Sequence, residues 1–148
     1  MKVIFLDLDG VLIRRKSLKY TEGLSNDIWL AGRLHPDCVD ALNYIIRATR
    51  AKIVISSTFR MFHPGGIDLS AKLTDAGLPD FYSMTPFLGR GRGNEIQAWL
   101  DHNLQVDSFV ILDDVPDMQH LMGRLVKTDI QTGLTWEDAE EAIEMLNG

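Results

Sequence analysis

The sequence predicts an open α/β fold built on a parallel sheet. Two observations carry that expectation. The runs Val3–Leu6, Ile53–Ile55 and Phe109–Leu112 are wholly apolar, and helical periodicity fills stretches between them. Runs of that length and uniformity suit strands buried on both faces and are too short for isolated helices. Strand–helix–strand alternation then makes successive strands parallel neighbours, with their carboxyl ends along one edge. A third observation concerns that edge. Val3–Leu6 runs into Asp7-Leu8-Asp9-Gly10, and Phe109–Leu112 runs into Asp113-Asp114. Open α/β sheets place their ligands outside the carboxyl ends of their strands.

Size and composition set the frame. A chain of 148 residues is expected to form one domain and to bury a core without disulfides or structural metal. The single cysteine, Cys38, excludes a disulfide framework and a Cys-rich zinc site, and no disulfide-linked partner is expected. Acids interrupt the first apolar run at Asp7, so neither a signal peptide nor a membrane span is read there. A cytoplasmic monomer is the expectation. Net charge is −6, which argues against a protein that coats nucleic acid by charge alone.

Each element follows in order. Gly10 lets the chain turn sharply or approach a ligand closely. Residues 13–35 open with Arg14, Arg15, Lys16 and Lys19, have poor periodicity until Ile28-Trp29-Leu30, and read as a small flap-like insertion returning at about His35. The basic cluster hangs near the acidic strand end, where it can hold an anionic substrate. Pro36 to Arg50 reads as a helix, with Pro36 at the first position, Asp37 in the first turn, and Val39, Leu42, Ile45 and Ile46 on one face. The second strand stops at Ser56-Ser57-Thr58, with Arg60 shortly after. A helix opened by Gly65-Gly66 carries Leu69, Leu73 and Ala76, and Gly77 and Pro79 end it. Phe81–Met84 reads as a short third strand. Gly89-Arg90-Gly91-Arg92-Gly93 then leads into a helix with Ile96, Trp99 and Leu100 on one side. A guanidinium near a helix start favours anions, and Arg90 and Arg92 compete for that place. Leu125–Lys127 gives a fifth strand, and a last helix is capped by Thr135 with Asp138, its core face being Ala139, Ala142, Ile143 and Leu146.

The acids are then weighed together. If Asp7, Asp9, Asp113 and Asp114 converge, each pair at about 4 Å repels by about 4 kcal/mol at an effective dielectric of 20. Either some protonate or a divalent cation sits among them. Oxygen donors without His or Cys favour a hard ion, Mg²⁺ above all. A metal, a carboxylate nucleophile, a hydroxyl and an arginine around one point are what phosphoryl transfer requires.

Asp7-Leu8-Asp9-Gly10-Val11, then Ser56, Arg92 and Asp113-Asp114, in that order, resembles the four-motif pattern of the haloacid dehalogenase (HAD) superfamily across essentially the whole chain. A closer likeness is to the HAD domains of Swiss Army Knife RNA-repair proteins. It rests on Ile53–Arg60, on Arg92-Gly93-Asn94-Glu95-Ile96 with Trp99-Leu100, and on Ile111–Asp114; Phe59 stands where that group usually has Trp. The resemblance implies a Rossmann-like sheet in order 5-4-1-2-3 with a small cap after the first motif. It implies an Mg²⁺-dependent phosphatase with Asp7 as nucleophile, forming an aspartyl-phosphate, and Asp9 as general acid and base. Ser56, or Ser57 if the strand ends a residue later, would bond a phosphoryl oxygen, and Arg92, or Arg90, would offset its charge. Asp7, Asp9 and Asp114 are the expected metal residues, with Asp113 as second ligand or orienter and the Leu8 carbonyl completing the site. Gly10, Arg14, Arg15, Ser57, Arg60 and Arg90 are the expected substrate contacts.

Rival readings fit less well. A phosphoacceptor receiver domain keeps its acceptor acid on the third strand, and nothing suitable ends that strand here. A catalytically dead binding module would lack a motif residue, and none is missing. His35, His63, His102 and His120 share no metal-ligand spacing. Trp99 and Trp136 fit helix faces, whereas Tyr20 and Trp29 are placed to stack on a base. A short cap leaves the site open, which suits the end of an RNA or DNA chain, a 3′-phosphate terminus above all. A nucleotide or other small phosphoester is the alternative.

Overall fold

The first apolar run becomes β1 (Lys2–Leu6), the central strand, with every residue from Val3 to Leu6 fully buried. Around it the computed structural model describes residues 1–14, 34–58 and 67–148. The body of the expected 13–35 insertion, with Arg15, Lys16, Lys19, Tyr20 and Trp29, lies outside the described residues, as do Phe59, Arg60, His63, Gly65 and Gly66. The residues on either side of that body are described, and the His35 amide donates to the Leu12 carbonyl at 2.8 Å.

The other described elements are α1 (Pro36–Thr49), β2 (Lys52–Ile55), α2 (Ile67–Asp75), β3 (Ser83–Met84), α3 (Arg92–Asp101), β4 (Ser108–Asp113), a 3₁₀ turn (Gln119–Arg124), β5 (Leu125–Lys127) and α4 (Trp136–Asn147). The strands form one parallel sheet in the order β3-β2-β1-β4-β5, as a Rossmann-like HAD fold requires. β3 is two residues long, shorter than the four expected, although the Tyr82 and Thr85 amides extend its bonding to β2 at 2.7 and 3.0 Å.

Side-chain alternation along β1 divides the core. Ile4 and Leu6 face one layer with Leu42 and Ile45 of α1, Leu69 and Leu73 of α2, and Ala139, Ala142 and Leu146 of α4. Val3 and Phe5 face the other with Ile96 and Trp99 of α3, Met118 just before the 3₁₀ turn and Leu121 within it. That turn was not read from the sequence. Its signal is the Met118/Leu121 pair three residues apart, the spacing at which a 3₁₀ turn stacks side chains.

Caps follow the expected chemistry. Thr135 and Asp138 form the reciprocal capping box of α4, both bonds at 3.1 Å. His35 caps α1, its Nδ1 accepting from the Asp37 amide at 3.1 Å. Cys38 is buried in α1, as a small hydrophobe would be. No helix among the described residues is long and apolar enough to cross a membrane.

Phe5 joins the central strand to α3. Its ring meets Trp99 and Phe109 edge-on, with centroids 5.5 and 5.7 Å away. Phe5→Ala is expected to lower unfolding free energy by about 3–5 kcal/mol in urea titrations, the usual result of emptying a large aromatic site. A loss below about 1 kcal/mol would mean that this layer repacks freely.

Candidate active site

Strand register places the acids. Leu6 pairs with Ile55 on one side and Leu112 on the other, so the next residues, Asp7, Ser56 and Asp113, stand abreast at the carboxyl edge. The Asp7 amide donates to the Leu112 carbonyl and the Ser56 amide to the Leu6 carbonyl, both at 3.1 Å. Ser56 and Ser57 are both fully buried here, and burial does not separate them.

Asp7, Asp113 and Asp114 converge. Each offers one carboxylate oxygen, and these oxygens all lie within 4.8 Å of one another. The fourth acid expected among them, Asp9, is not in this group. Of the two competing arginines, Arg92 reaches the acids: its Nη1 lies 2.5 Å from Asp113 Oδ2 and 3.3 Å from Asp7 Oδ1. Arg90 is exposed, and its carbonyl accepts from Asn94 Nδ2 at 2.6 Å. Asp113 has both oxygens engaged, because Oδ1 also accepts from the Val115 amide at 3.0 Å.

The electrostatics follow from this crowding. Burial, reinforced by Asp113 and Asp114, holds the Asp7 carboxyl well above the usual carboxylate range, against the pull of Arg92 and a Leu8 backbone bond. Partial burial and then Asp113 raise Asp114 as well. Burial opposes the charge of Arg92, yet Asp7 and Asp113 outweigh it and raise its pKa. One guanidinium against three acids leaves negative charge uncompensated. An all-oxygen set with that excess fits a hard divalent cation.

Turn geometry brings Asp114 in. Gly10 has φ +82°, and a Cβ there would lie 2.4 Å from Asp114 Cγ. Only a glycine allows the turn and leaves that room. Thr128, just after β5, donates from Oγ1 to the Gly10 carbonyl at 2.6 Å and ties the loop to the far strand. Thr128 was missed in the sequence, where its one signal is a hydroxyl at the end of a short strand. The Leu8 carbonyl, expected at the metal site, accepts from the amides of Val11, Leu12 and Ile13 at 3.0 to 3.2 Å and so closes the turn after β1.

The start of α3 is held unexpectedly. Its N-cap, Gly91, has no side chain, and the Arg92 and Gly93 amides are taken up from the loop after β4 by Asp117 and Gln119. The expected helix-terminal anion site is therefore filled by the protein's own oxygens. Glu95, buried one turn in, accepts from the Leu88 and Gly89 amides at 2.8 and 3.3 Å. A cleft of about 180 Å³ beside these groups is lined by Thr58, Phe87, Gly89, Gly91, Arg92, Glu95 and Asp117. Arg14, the last residue described before residues 15–33, has its Nη2 2.5 Å from His35 Nε2.

The raised acids give a stability test. A carboxyl whose folded pKa lies above its unfolded value of about 4 contributes stability below that value and loses it as pH rises through the folded one. In EDTA, Asp114→Asn is expected to raise Tm relative to the parent, by about 2–4 °C for each kcal/mol of repulsion removed. The gap widens from pH 5 to 8. Equal Tm values for the two proteins across that range would contradict mutual repulsion.

The family described as "HAD domain in Swiss Army Knife RNA repair proteins" matches residues 3–139. Nothing among curated proteins or among solved structures matches the chain. The matched span runs from β1 into α4 and takes in all four motif positions, bearing out the resemblance carried by the strand-end acids. The chain belongs to the HAD domain family of Swiss Army Knife RNA repair proteins and is a HAD-type hydrolase domain whose acidic cluster fits a metal ion.

Proposed function

We propose that the protein is an Mg²⁺-dependent phosphomonoester hydrolase that removes a phosphate, above all a 3′-phosphate, from nucleic-acid ends. The observation that carries this reading is the Arg92 guanidinium lying against both Asp7 and Asp113 beside Asp114. Asp7 Oδ attacks phosphorus and forms an aspartyl-phosphate as the bond to the leaving oxygen breaks. Asp9 protonates that oxygen, then takes a proton from the water that cleaves the aspartyl-phosphate. Ser56, or Ser57 beside it, holds a phosphoryl oxygen. Arg92 offsets charge on the phosphoryl group and on Asp7, whose carboxyl burial, Asp113 and Asp114 push up against the pull of Arg92. Asp7 and Asp114 would hold the Mg²⁺, and Asp113, with its oxygens engaged by Arg92 and Val115, would act as an orienter. When bound, the ion supplies positive charge that favours the ionised nucleophile and the transferring phosphoryl group.

Two experiments test the chemistry. With p-nitrophenyl phosphate, EDTA is expected to abolish turnover, Mg²⁺ to restore it, and Ca²⁺, with its looser geometry, to restore it poorly. Asp7→Asn removes turnover entirely, because an amide cannot form the acyl-phosphate. Asp9→Asn slows it by about 10²–10⁴-fold, a typical acid–base contribution. Full activity in EDTA, or wild-type turnover in Asp7→Asn, would overturn the assignment.

Support for a polymer end is the family and the basic run Arg14-Arg15-Lys16, which follows the Asp7-Leu8-Asp9 strand end by a few residues in the sequence. The test is a panel of a 3′-phosphorylated oligonucleotide, its 5′-phosphorylated isomer and mononucleotides at two salt concentrations. Each phosphate contact is expected to steepen the log–log salt dependence by about 0.7 for a single strand. Arg15→Glu with Lys16→Glu should raise KM for the oligonucleotide far more than for p-nitrophenyl phosphate. Equal effects on both, with mononucleotides preferred, would mean a small-molecule phosphatase.

A further inference from the structure

The helix that carries Arg92 starts without a cap of its own. Gly91 offers no side chain, so the first-turn amides of α3 need acceptors from elsewhere. The loop after β4 supplies them. Asp117 Oδ2 accepts from the Arg92 amide at 3.3 Å, and the Gly93 amide donates to the Asp117 carbonyl at 3.1 Å and to Gln119 Oε1 at 2.9 Å. Gln119 Nε2 closes the ring by donating to Asp117 Oδ1 at 2.5 Å.

Backbone shape is committed to this clasp. A Cβ on Gly91 would lie 2.5 Å from Gln119 Nε2, and one on Gly93 would lie 2.1 Å from the Met118 carbonyl oxygen. Gln119 itself sits at φ +49°, a left-handed conformation that a residue with a side chain adopts at a cost. Strain of that kind persists only where surrounding contacts over-determine it. Here the contacts join two segments: one bears Asp113 and Asp114, and the other bears Arg92.

We propose that Asp117, braced by Gln119, is the positioning residue for Arg92. Its carboxylate is the built-in anion of the α3 N-terminus, and it fixes the backbone from which the guanidinium reaches Asp7 and Asp113. Incoming phosphate therefore meets the guanidinium and not the helix amides. The inference rests on the reading of Arg92 as the residue that offsets phosphoryl charge.

The experiment is a double-mutant cycle on p-nitrophenyl phosphate with Mg²⁺, using Asp117→Ala, Arg92→Ala and the double variant. Asp117→Ala is expected to lower kcat on the order of 100-fold with a smaller change in KM, the usual consequence of misplacing a group that acts in the transition state. In the Arg92→Ala background the same change should cost almost nothing further, because the route runs through Arg92. Asp117→Asn, whose amide oxygen can still accept from the Arg92 N–H, should keep most of the turnover. Asp117 is exposed and borders the cleft, so a small anion can reach the place it vacates. Sodium formate should restore turnover in Asp117→Ala, but not in wild type, when compared with chloride at equal ionic strength. A merely structural role would give additive losses and no formate rescue, and either result overturns the clasp while leaving the phosphatase reading intact. Wild-type protein without Asp7-dependent turnover, or unchanged turnover in Arg92→Ala, overturns the underlying reading instead. Amide exchange then still reads the clasp: the Arg92 and Gly93 N–H groups should be protected in wild type and released in Asp117→Ala.

Discussion

Repulsion among three carboxylates at one sheet edge is the constraint on which the rest of this structure depends. Parallel pairing of β1 with β4 forces Asp7 and Asp113 side by side, and the turn at Gly10 admits Asp114 beside them. The hydrophobic core supplies the force that holds them there, since β1 is buried on both faces and cannot slip without exposing one of them. Arg92 relieves part of the strain and leaves the remainder as an attraction for a cation. The same excess of negative charge, on an all-oxygen set, is what fits the cluster to a cation.

Much of this was legible in the sequence because burial on two faces leaves an unambiguous trace. β1, β2 and β4 read as uniform apolar runs, and the residue after each run then lies at the carboxyl edge without further assumption. The α1 and α4 helices were legible through their caps and their apolar faces. What escaped was long-range and polar. The capture of α3 by Asp117 and Gln119 spans more than twenty residues of sequence, and no local pattern announces it. A Gly-Arg-Gly-Arg-Gly run reads locally as a mobile loop. Two of its glycines, Gly91 and Gly93, are crowded by neighbours that only the fold supplies. The choice of Arg92 over Arg90 was hidden for the same reason, because it depends on where the helix begins.

The Leu8 carbonyl shows what the spacing of a motif leaves out. Spacing told which side chains end the strand. It did not tell that the backbone immediately tightens into a turn whose three amides converge on that one oxygen. Backbone groups of a loop are assigned by hydrogen-bond accounting, and that accounting needs coordinates.

The order of the elements along the chain has a consequence for how the site assembles. β1 first finds β2, about fifty residues on, and must wait for β4, more than a hundred residues on, to be covered on its other side. Contacts of such separation form late and slowly. Asp7 therefore spends early folding without its acidic neighbours. Arg92, on α3, precedes Asp113 and Asp114 in the chain. During vectorial synthesis the counter-charge is thus made before the charges that need it, and the loop that positions it, with Asp117 and Gln119, is made after them.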